Sequence, residues 1–124
     1  MKEVVSTSKA PAAIGPYSQA IKTGGLIFVS GQLPIDESGN LSTGTITEQT
    51  KIVMNNVSEI LKAAGSGLDK IVKTTILLTD LGVFGEVNEA YGEFFTNEPP
   101  ARACFQVAAL PKNAQIEIEV IAAV

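Results

Sequence analysis

Six short extended segments and only two helical segments alternate along this chain, in the order βββαβαββ. The extended segments are rich in aliphatic and β-branched residues and are expected at about 2–6, 18–23, 26–31, 71–79, 102–109 and 115–123. A chain of 124 residues suffices for one domain, 1–124, and not for two. The order predicts an α+β fold in which two helices cover one face of a mixed six-stranded sheet.

Local signals mark where the helices begin and end. Thr45-x-x-Glu48 has the spacing of a capping box, and Gly65 stands where a glycine commonly ends a helix. Asp80 is placed to cap a second helix at about 81–95. The Lys-Thr-Gly-Gly stretch at 22–25 is typical of the turn of a β-hairpin.

Apolar residues occupy both faces of the expected sheet. In the last strand, Ile116, Ile118 and Val120 point one way, whereas Ile121 and Ala123 point the other. Two helices can cover about one face of six strands, so the other face needs a different cover. In a chain this short the expected cover is a second copy, and the sequence therefore predicts a homo-oligomer.

Residue types that are missing exclude several kinds of site. The chain has no His, which excludes Ser-His-Asp and Cys-His nucleophile systems and His-based zinc sites. The single cysteine, Cys104, excludes an internal disulfide and a Cys-x-x-Cys pair, and neither a P-loop nor a G-x-G-x-x-G fingerprint occurs. We therefore do not expect a nucleotide cofactor held by a standard fingerprint.

Charge and hydropathy indicate the surroundings of the protein. A net charge of −4 and a pI of about 4.7 argue against nucleic acid or an anionic membrane as a partner. The first residues lack the apolar core of a signal peptide, and no apolar run approaches the roughly 18 residues that span a bilayer. These features predict a cytoplasmic protein.

Arg102 is the only arginine beside eight lysines, and it opens a strand directly after two prolines and an alanine. A guanidinium binds a carboxylate through two parallel hydrogen bonds, which an ammonium cannot do. Arg102 is therefore either a specific carboxylate ligand or the partner of Glu117 or Glu119 in a salt bridge. An antiparallel hairpin between the last two strands would gather Arg102, Cys104 and one of these glutamates on one face.

Each of the other polar candidates also has two interpretations. Glu117 and Glu119 lie in an apolar strand, where a carboxyl either acquires a raised pKa suited to acid–base work or protects a sheet edge. Cys104 is expected to be a packing residue, because a nucleophilic role lacks a histidine base. Asn88 lies on the apolar side of the second helix, and its amide must bond to the backbone or face a cleft.

Two turn regions add further candidates. Tyr17 follows Gly15-Pro16 and is either half-buried beside that turn or part of a site. Ser30-Gly31 ends an apolar strand, where a glycine either makes a turn or lets a ligand approach the backbone closely.

Several motifs occur in a fixed order along essentially the whole chain: Ala10-Pro11-Ala12-Ala13-Ile14-Gly15-Pro16-Tyr17-Ser18-Gln19, Ser30-Gly31-Gln32, Val87-Asn88-x-x-Tyr91, Pro100-Ala101-Arg102-Ala103-Cys104 and Ile116-Glu117-Ile118-Glu119. In this combination the chain resembles the RidA/YjgF family of small imine deaminases, once labelled translation inhibitors or endoribonucleases. The resemblance implies a chorismate-mutase-like fold and a homotrimer with active clefts between subunits. It also implies hydrolysis of 2-imino acids, which pyridoxal-phosphate enzymes release as enamines, to 2-keto acids and ammonia without a cofactor.

The resemblance also assigns the site residue by residue. Arg102 matches the arginine that holds the substrate carboxylate, and Glu117, not Glu119, matches the acid near the attacking water. The other residues that match the family's cleft are Tyr17, Ser30, Gly31, Asn88 and Cys104.

Three other functions stay open on the sequence, one of them a chaperone-like holdase, which the residues neither support nor exclude. The same cleft could bind a 2-keto acid as a sensing or regulatory module without turnover. The older label of RNA cleavage or translation inhibition is opposed by the acidic pI, the missing His and the single Arg.

Overall fold

The computed structural model describes all 124 residues and contains six strands and two α-helices. In chain order the elements are β1 (Glu3–Val5), β2 (Ala20–Thr23), β3 (Leu26–Gln32), α1 (Ile46–Ala63), β4 (Ile71–Leu78), α2 (Phe84–Gly92), β5 (Ala101–Gln106) and β6 (Ile116–Ala123). This confirms the predicted order βββαβαββ and the α+β class. Neither helix combines the length and the apolar character needed to cross a bilayer.

The six strands form one mixed sheet in the spatial order β1-β2-β3-β6-β4-β5. β4 and β5 run parallel to each other, and every other neighbouring pair is antiparallel. A parallel pair needs a crossover connection, which α2 provides between β4 and β5. This crossover places β5 at the edge of the sheet, and β6 lies on the other side of β4, between β4 and β3.

The antiparallel hairpin considered for the last two strands does not form. β6 pairs with β3 and β4 and makes no pairing with β5. One side of β4 is already filled by β5, which reaches it through α2. The returning chain pairs with the other side of β4.

The local signals for turns and caps are confirmed, except that Asp80 caps a 3₁₀ turn and not α2, which spans Phe84–Gly92 and has no side-chain cap. The Thr45 side chain accepts a hydrogen bond from the Glu48 amide at 3.2 Å, and Gly65 has a φ of +81° just past the end of α1. The β2–β3 turn has positive φ at Gly24 and Gly25, +58° and +80°, as a tight hairpin turn requires. Asp80 accepts a hydrogen bond from the Gly82 amide and caps a 3₁₀ turn that leads into α2.

The hydrophobic core lies between the helices and one face of the sheet. In β6 the buried side chains alternate with more exposed ones, and both Ile116 and Ile118 are fully buried. The opposite face bears exposed apolar side chains, namely Val4, Leu26, Phe28 and Phe105. The prediction that the helices cover only one face is confirmed, and an apolar sheet surface is left facing outward.

Candidate functional site

A β-bulge in the centre of the sheet shapes the first half of the candidate site. The pairing of β3 with β6 shifts register between Val29 and Gln32. Ser30 and Gly31 there lie opposite one residue of β6, Glu119, which is the pattern of a bulge. Bulges bend a strand and redirect side chains, and they are common beside active sites.

The carboxyl group of Glu117 packs directly against the backbone of Gly31. A Cβ added to Gly31 would overlap Oε2 of Glu117 and would lie 2.7 Å from its Cδ. The glycine is required by this close approach, and no strained φ is involved. The group that comes close to the Gly31 backbone is therefore a side chain of the same chain, whereas the sequence indicated either a ligand or a turn there.

A cleft of about 770 Å³ opens at this point on the face of the sheet that the helices leave uncovered. Four of the predicted site residues line it: Tyr17, Ser30, Gly31 and Glu117. The Ser30 hydroxyl donates a hydrogen bond to the Ser18 carbonyl, which ties β3 to the segment that carries Tyr17.

Glu117 is the titratable group of the cleft whose pKa is shifted from its ordinary value. Burial raises the pKa of Glu117 above its ordinary value of 4.5, and the negative charge of Glu119 raises this pKa further. Both carboxylates line the same cleft. A carboxyl in this position holds a proton at a pH where an exposed glutamate has lost it, as a group that exchanges protons with a substrate should.

The second half of the candidate site lies on α2 and the edge strand β5. Asn88 on α2 accepts a hydrogen bond through Oδ1 from Nη1 of Arg102 on β5. Neither of the chain's salt bridges includes Arg102, so its expected alternative role as a partner of Glu117 or Glu119 is wrong. The amide of Asn88 therefore forms its hydrogen bond with a side chain and not with the backbone.

Cys104 lies two residues after Arg102 and is half-buried. Burial raises the pKa of the Cys104 thiol, and the nearby positive charge of Arg102 opposes this shift only in part. The thiol is therefore predominantly protonated at neutral pH, which agrees with a packing role and disfavours a nucleophilic one.

The two halves of the site lie on opposite faces of the sheet. Glu117 and Phe105 both pair with Leu77 of β4, so their side chains point to the uncovered face. Arg102 pairs with the fully buried Thr74, and its side chain points to the helix face. The expectation that Arg102, Cys104 and a glutamate gather within one chain is wrong, because β4 is inserted between their strands.

Sequence reasoning missed the residues that surround Arg102. The rings of Phe84 and Tyr91 approach its guanidinium, with 5.3 Å and 5.4 Å from Cζ to the ring centroids. Phe84, Asn88 and Tyr91 are spaced i, i+4 and i+7 on α2, a signal that sequence analysis interpreted as a core face. No three of the Cys, Asp and Glu side chains lie close enough together to hold a metal ion.

Comparison with known proteins supports this arrangement of motifs. Residues 7–124 match the family model described as Endoribonuclease L-PSP. The chain belongs to this family, also called RidA/YjgF. Its resemblance to RidA/YjgF proteins, inferred from motifs, is thereby confirmed.

RidA/YjgF relatives match the chain over nearly its whole length. The 2-iminobutanoate/2-iminopropanoate deaminase of Mus musculus is 51% identical over 98% of this chain and 91% of its own. Reactive Intermediate Deaminase A of Arabidopsis thaliana is 56% identical over 98% of this chain and 65% of its own. Among solved structures, YyfA of Yersinia pestis, a member of the Rid family, superposes with a TM-score of 0.98 at 47% identity, covering both chains completely.

Proposed function

We propose that the protein hydrolyses small 2-imino acids to 2-keto acids and ammonia in the cytoplasm. The observation that carries the proposal is the Glu117 carboxyl, which lies over Gly31 in a cleft of about 770 Å³ and has a raised pKa. A relative named as a 2-iminobutanoate/2-iminopropanoate deaminase at 51% identity, and one named as a reactive intermediate deaminase at 56% identity, support the same chemistry. Arg102, free of any protein carboxylate, adds a binding group for the substrate's own carboxylate.

The proposed reaction needs only water and two protein groups. Arg102 binds the carboxylate, and Glu117 positions a water and takes one of its protons as the oxygen attacks the C=N carbon. Glu117 passes this proton to the nitrogen, which completes the carbinolamine. Glu117 then takes the proton of the new hydroxyl and gives it to the same nitrogen, so that the C–N bond breaks, ammonia leaves, a C=O bond forms and Glu117 is ionised again. Imines hydrolyse unaided, so positioning and acid–base assistance of roughly 10²–10⁴-fold is sufficient.

The remaining cleft residues have supporting roles in this proposal. Tyr17 and the backbone at Gly31 orient the imine, and Ser30 holds the bulge that presents them. Asn88 and Cys104 belong to the other half of the site, with Arg102 on the helix face of the sheet. No cofactor and no nucleic acid or membrane partner takes part.

The proposal places each complete cleft between two copies in a homotrimer. Arg102 and Glu117 point to opposite faces of one sheet, so a second copy is needed to bring an arginine to a glutamate. The uncovered apolar face supplies a surface for packing between copies, and β5 is a free sheet edge beside it. The number three comes from the resemblance to the family.

A coupled assay tests the activity directly. 2-Iminobutanoate is generated in situ and trapped with semicarbazide, and an active protein lowers the trapped fraction. Arg102→Ala should lose at least roughly 30-fold in rate, because the substrate carboxylate loses its charge-assisted hydrogen bonds to the guanidinium. Lys70→Ala, a loss of an exposed cation elsewhere, is the matched control and should retain the wild-type rate.

Two results would count against the proposal. If folded wild-type protein does not lower the trapped fraction, the deaminase function is wrong. Calorimetric binding of 2-ketobutanoate without turnover would then favour the sensing module.

A further inference from the structure

The surroundings of Arg102 form a structured pocket for a planar cation. Phe84, Asn88 and Tyr91 come from one face of α2, and all three contact the guanidinium. The two aromatic rings attract the cation through their faces, and the Asn88 oxygen accepts one of its five N–H groups. Three different contacts therefore fix both the position and the rotation of the guanidinium plane.

Tyr91 is itself held firmly in place. The ring is buried, and its hydroxyl shares a hydrogen bond of 2.8 Å with the hydroxyl of the fully buried Thr74. Thr74 is also the β4 residue that pairs with Arg102 in the sheet. The Phe95 ring packs against Tyr91 with 4.8 Å between centroids. The ring that contacts Arg102 is thus anchored to the same strand pair that carries Arg102.

We propose that Phe84, Asn88 and Tyr91 form a preformed guanidinium cradle, with Thr74 as a positioning residue behind it. The cradle holds Arg102 so that its remaining N–H groups present a fixed fork to a carboxylate. This last role rests on the proposed function, whereas the cradle itself does not. The cradle explains why this position holds an arginine in a chain that otherwise uses eight lysines. A planar guanidinium stacks on the rings and presents two parallel N–H groups to a carboxylate, which an ammonium cannot do.

Chemical rescue tests the cradle. Arg102→Ala removes the side chain and leaves the cradle vacant, and free guanidinium at millimolar concentration, far below denaturing levels, should then bind there. We expect guanidinium to restore deaminase activity to Arg102→Ala, and methylammonium at the same concentration to restore none. Adding Asn88→Ala to this variant should weaken the rescue about tenfold, because a hydrogen bond to a charged group is lost.

A second measurement does not depend on deaminase activity. Saturation-transfer NMR should detect guanidinium bound to Arg102→Ala, and this signal should weaken in Asn88→Ala/Arg102→Ala. Equal responses to guanidinium and methylammonium, or no effect of Asn88→Ala, would overturn the cradle. Guanidinium binding to Arg102→Ala, together with a wild-type protein that shows no deaminase activity, would instead keep the cradle and reject the proposed function.

Kinetics of the variants with Arg102 intact separate positioning from folding. Asn88→Ala should raise KM about tenfold with little change in kcat. An arginine that is held less firmly binds the substrate and the transition state more weakly by the same amount. Thr74→Val removes the hydrogen bond to the Tyr91 hydroxyl and should therefore also raise KM. Glu89→Ala, at the neighbouring exposed position of α2, should leave both constants unchanged. A fall in kcat at constant KM in Asn88→Ala would contradict the positioning role.

Discussion

Arg102 and Glu117 point to opposite faces of one sheet, although only β4 separates their strands. No rotamer of either side chain brings a guanidinium and a carboxyl to one substrate through a layer of packed strands. A chain with this register therefore carries two half-sites. In the proposed function, a complete site combines the Arg102 half of one copy with the Glu117 half of another.

Mixing two inactive variants should therefore restore activity. Arg102→Ala lacks one half-site and Glu117→Gln lacks the other, so each alone should be nearly inactive. After joint refolding at equal amounts, about one quarter of the inter-subunit sites combine an intact arginine with an intact glutamate. The semicarbazide assay should then report about a quarter of the wild-type rate.

Each variant refolded alone is the control for this experiment. A mixture that stays as inactive as its components, while mass spectrometry shows mixed oligomers, would mean that each site is built from one chain.

Gly31→Ala should reduce activity strongly and stability only slightly. The new Cβ would occupy the position of the Glu117 carboxyl, and the far end of this flexible side chain can move away. A shift of about 1 Å in a catalytic group can cost about 10²-fold in rate. The measurement is kcat/KM together with urea denaturation.

Gly92→Ala is the matched control, because nothing lies within 4 Å of a Cβ added there. This variant should keep the wild-type rate and lose no stability. Full activity in Gly31→Ala would show that the contact with Glu117 has no catalytic role.

Glu119→Gln should shift the pH dependence of the reaction. The Glu119 charge raises the pKa of Glu117, so removing it lowers this pKa. Glu117 must be ionised to take a proton from water, and activity is lost as pH falls through its pKa. In Glu119→Gln, the loss of kcat/KM on the acidic side of the pH profile should therefore occur at a lower pH than in the wild type. Glu3→Gln, an exposed change in β1, should leave this pH unchanged.

Elements and faces were predictable from the sequence, whereas strand partners were not. Alternation in β6 correctly separates Ile118 from Glu117, because side-chain direction follows from local geometry. The neighbour of β5 depends on the crossover through α2 and on which side of β4 is free, and both are long-range features. The sequence correctly indicated which residues of β5 share a face, but pairing β5 with β6 instead of β4 would place Arg102 beside the glutamates.

The candidate site shows the same division. A close approach to the Gly31 backbone was one of two interpretations of a glycine at a strand end, but the approaching group, Glu117, lies on another strand and was not predicted. The contacts of Asn88 were not predicted either, since an amide on an apolar helix face indicates only that some partner exists. The partner is Arg102, which lies on a different element.

Phe105→Ser should weaken assembly without unfolding the chain. The Phe105 side chain is 52% exposed on the uncovered face, and an exposed apolar residue contributes little to the stability of one chain. If this face packs against another copy, the same change removes buried apolar surface at the interface. Sedimentation equilibrium should show dissociation at concentrations where the wild type stays associated, with an unchanged circular dichroism spectrum. Leu81→Ser, 43% exposed and outside the sheet, is the control. Deaminase activity should fall together with association, because Phe105 and Glu117 both pair with Leu77 and point to the same face of the sheet. Equal association of the Phe105→Ser and Leu81→Ser variants would argue against packing through this face.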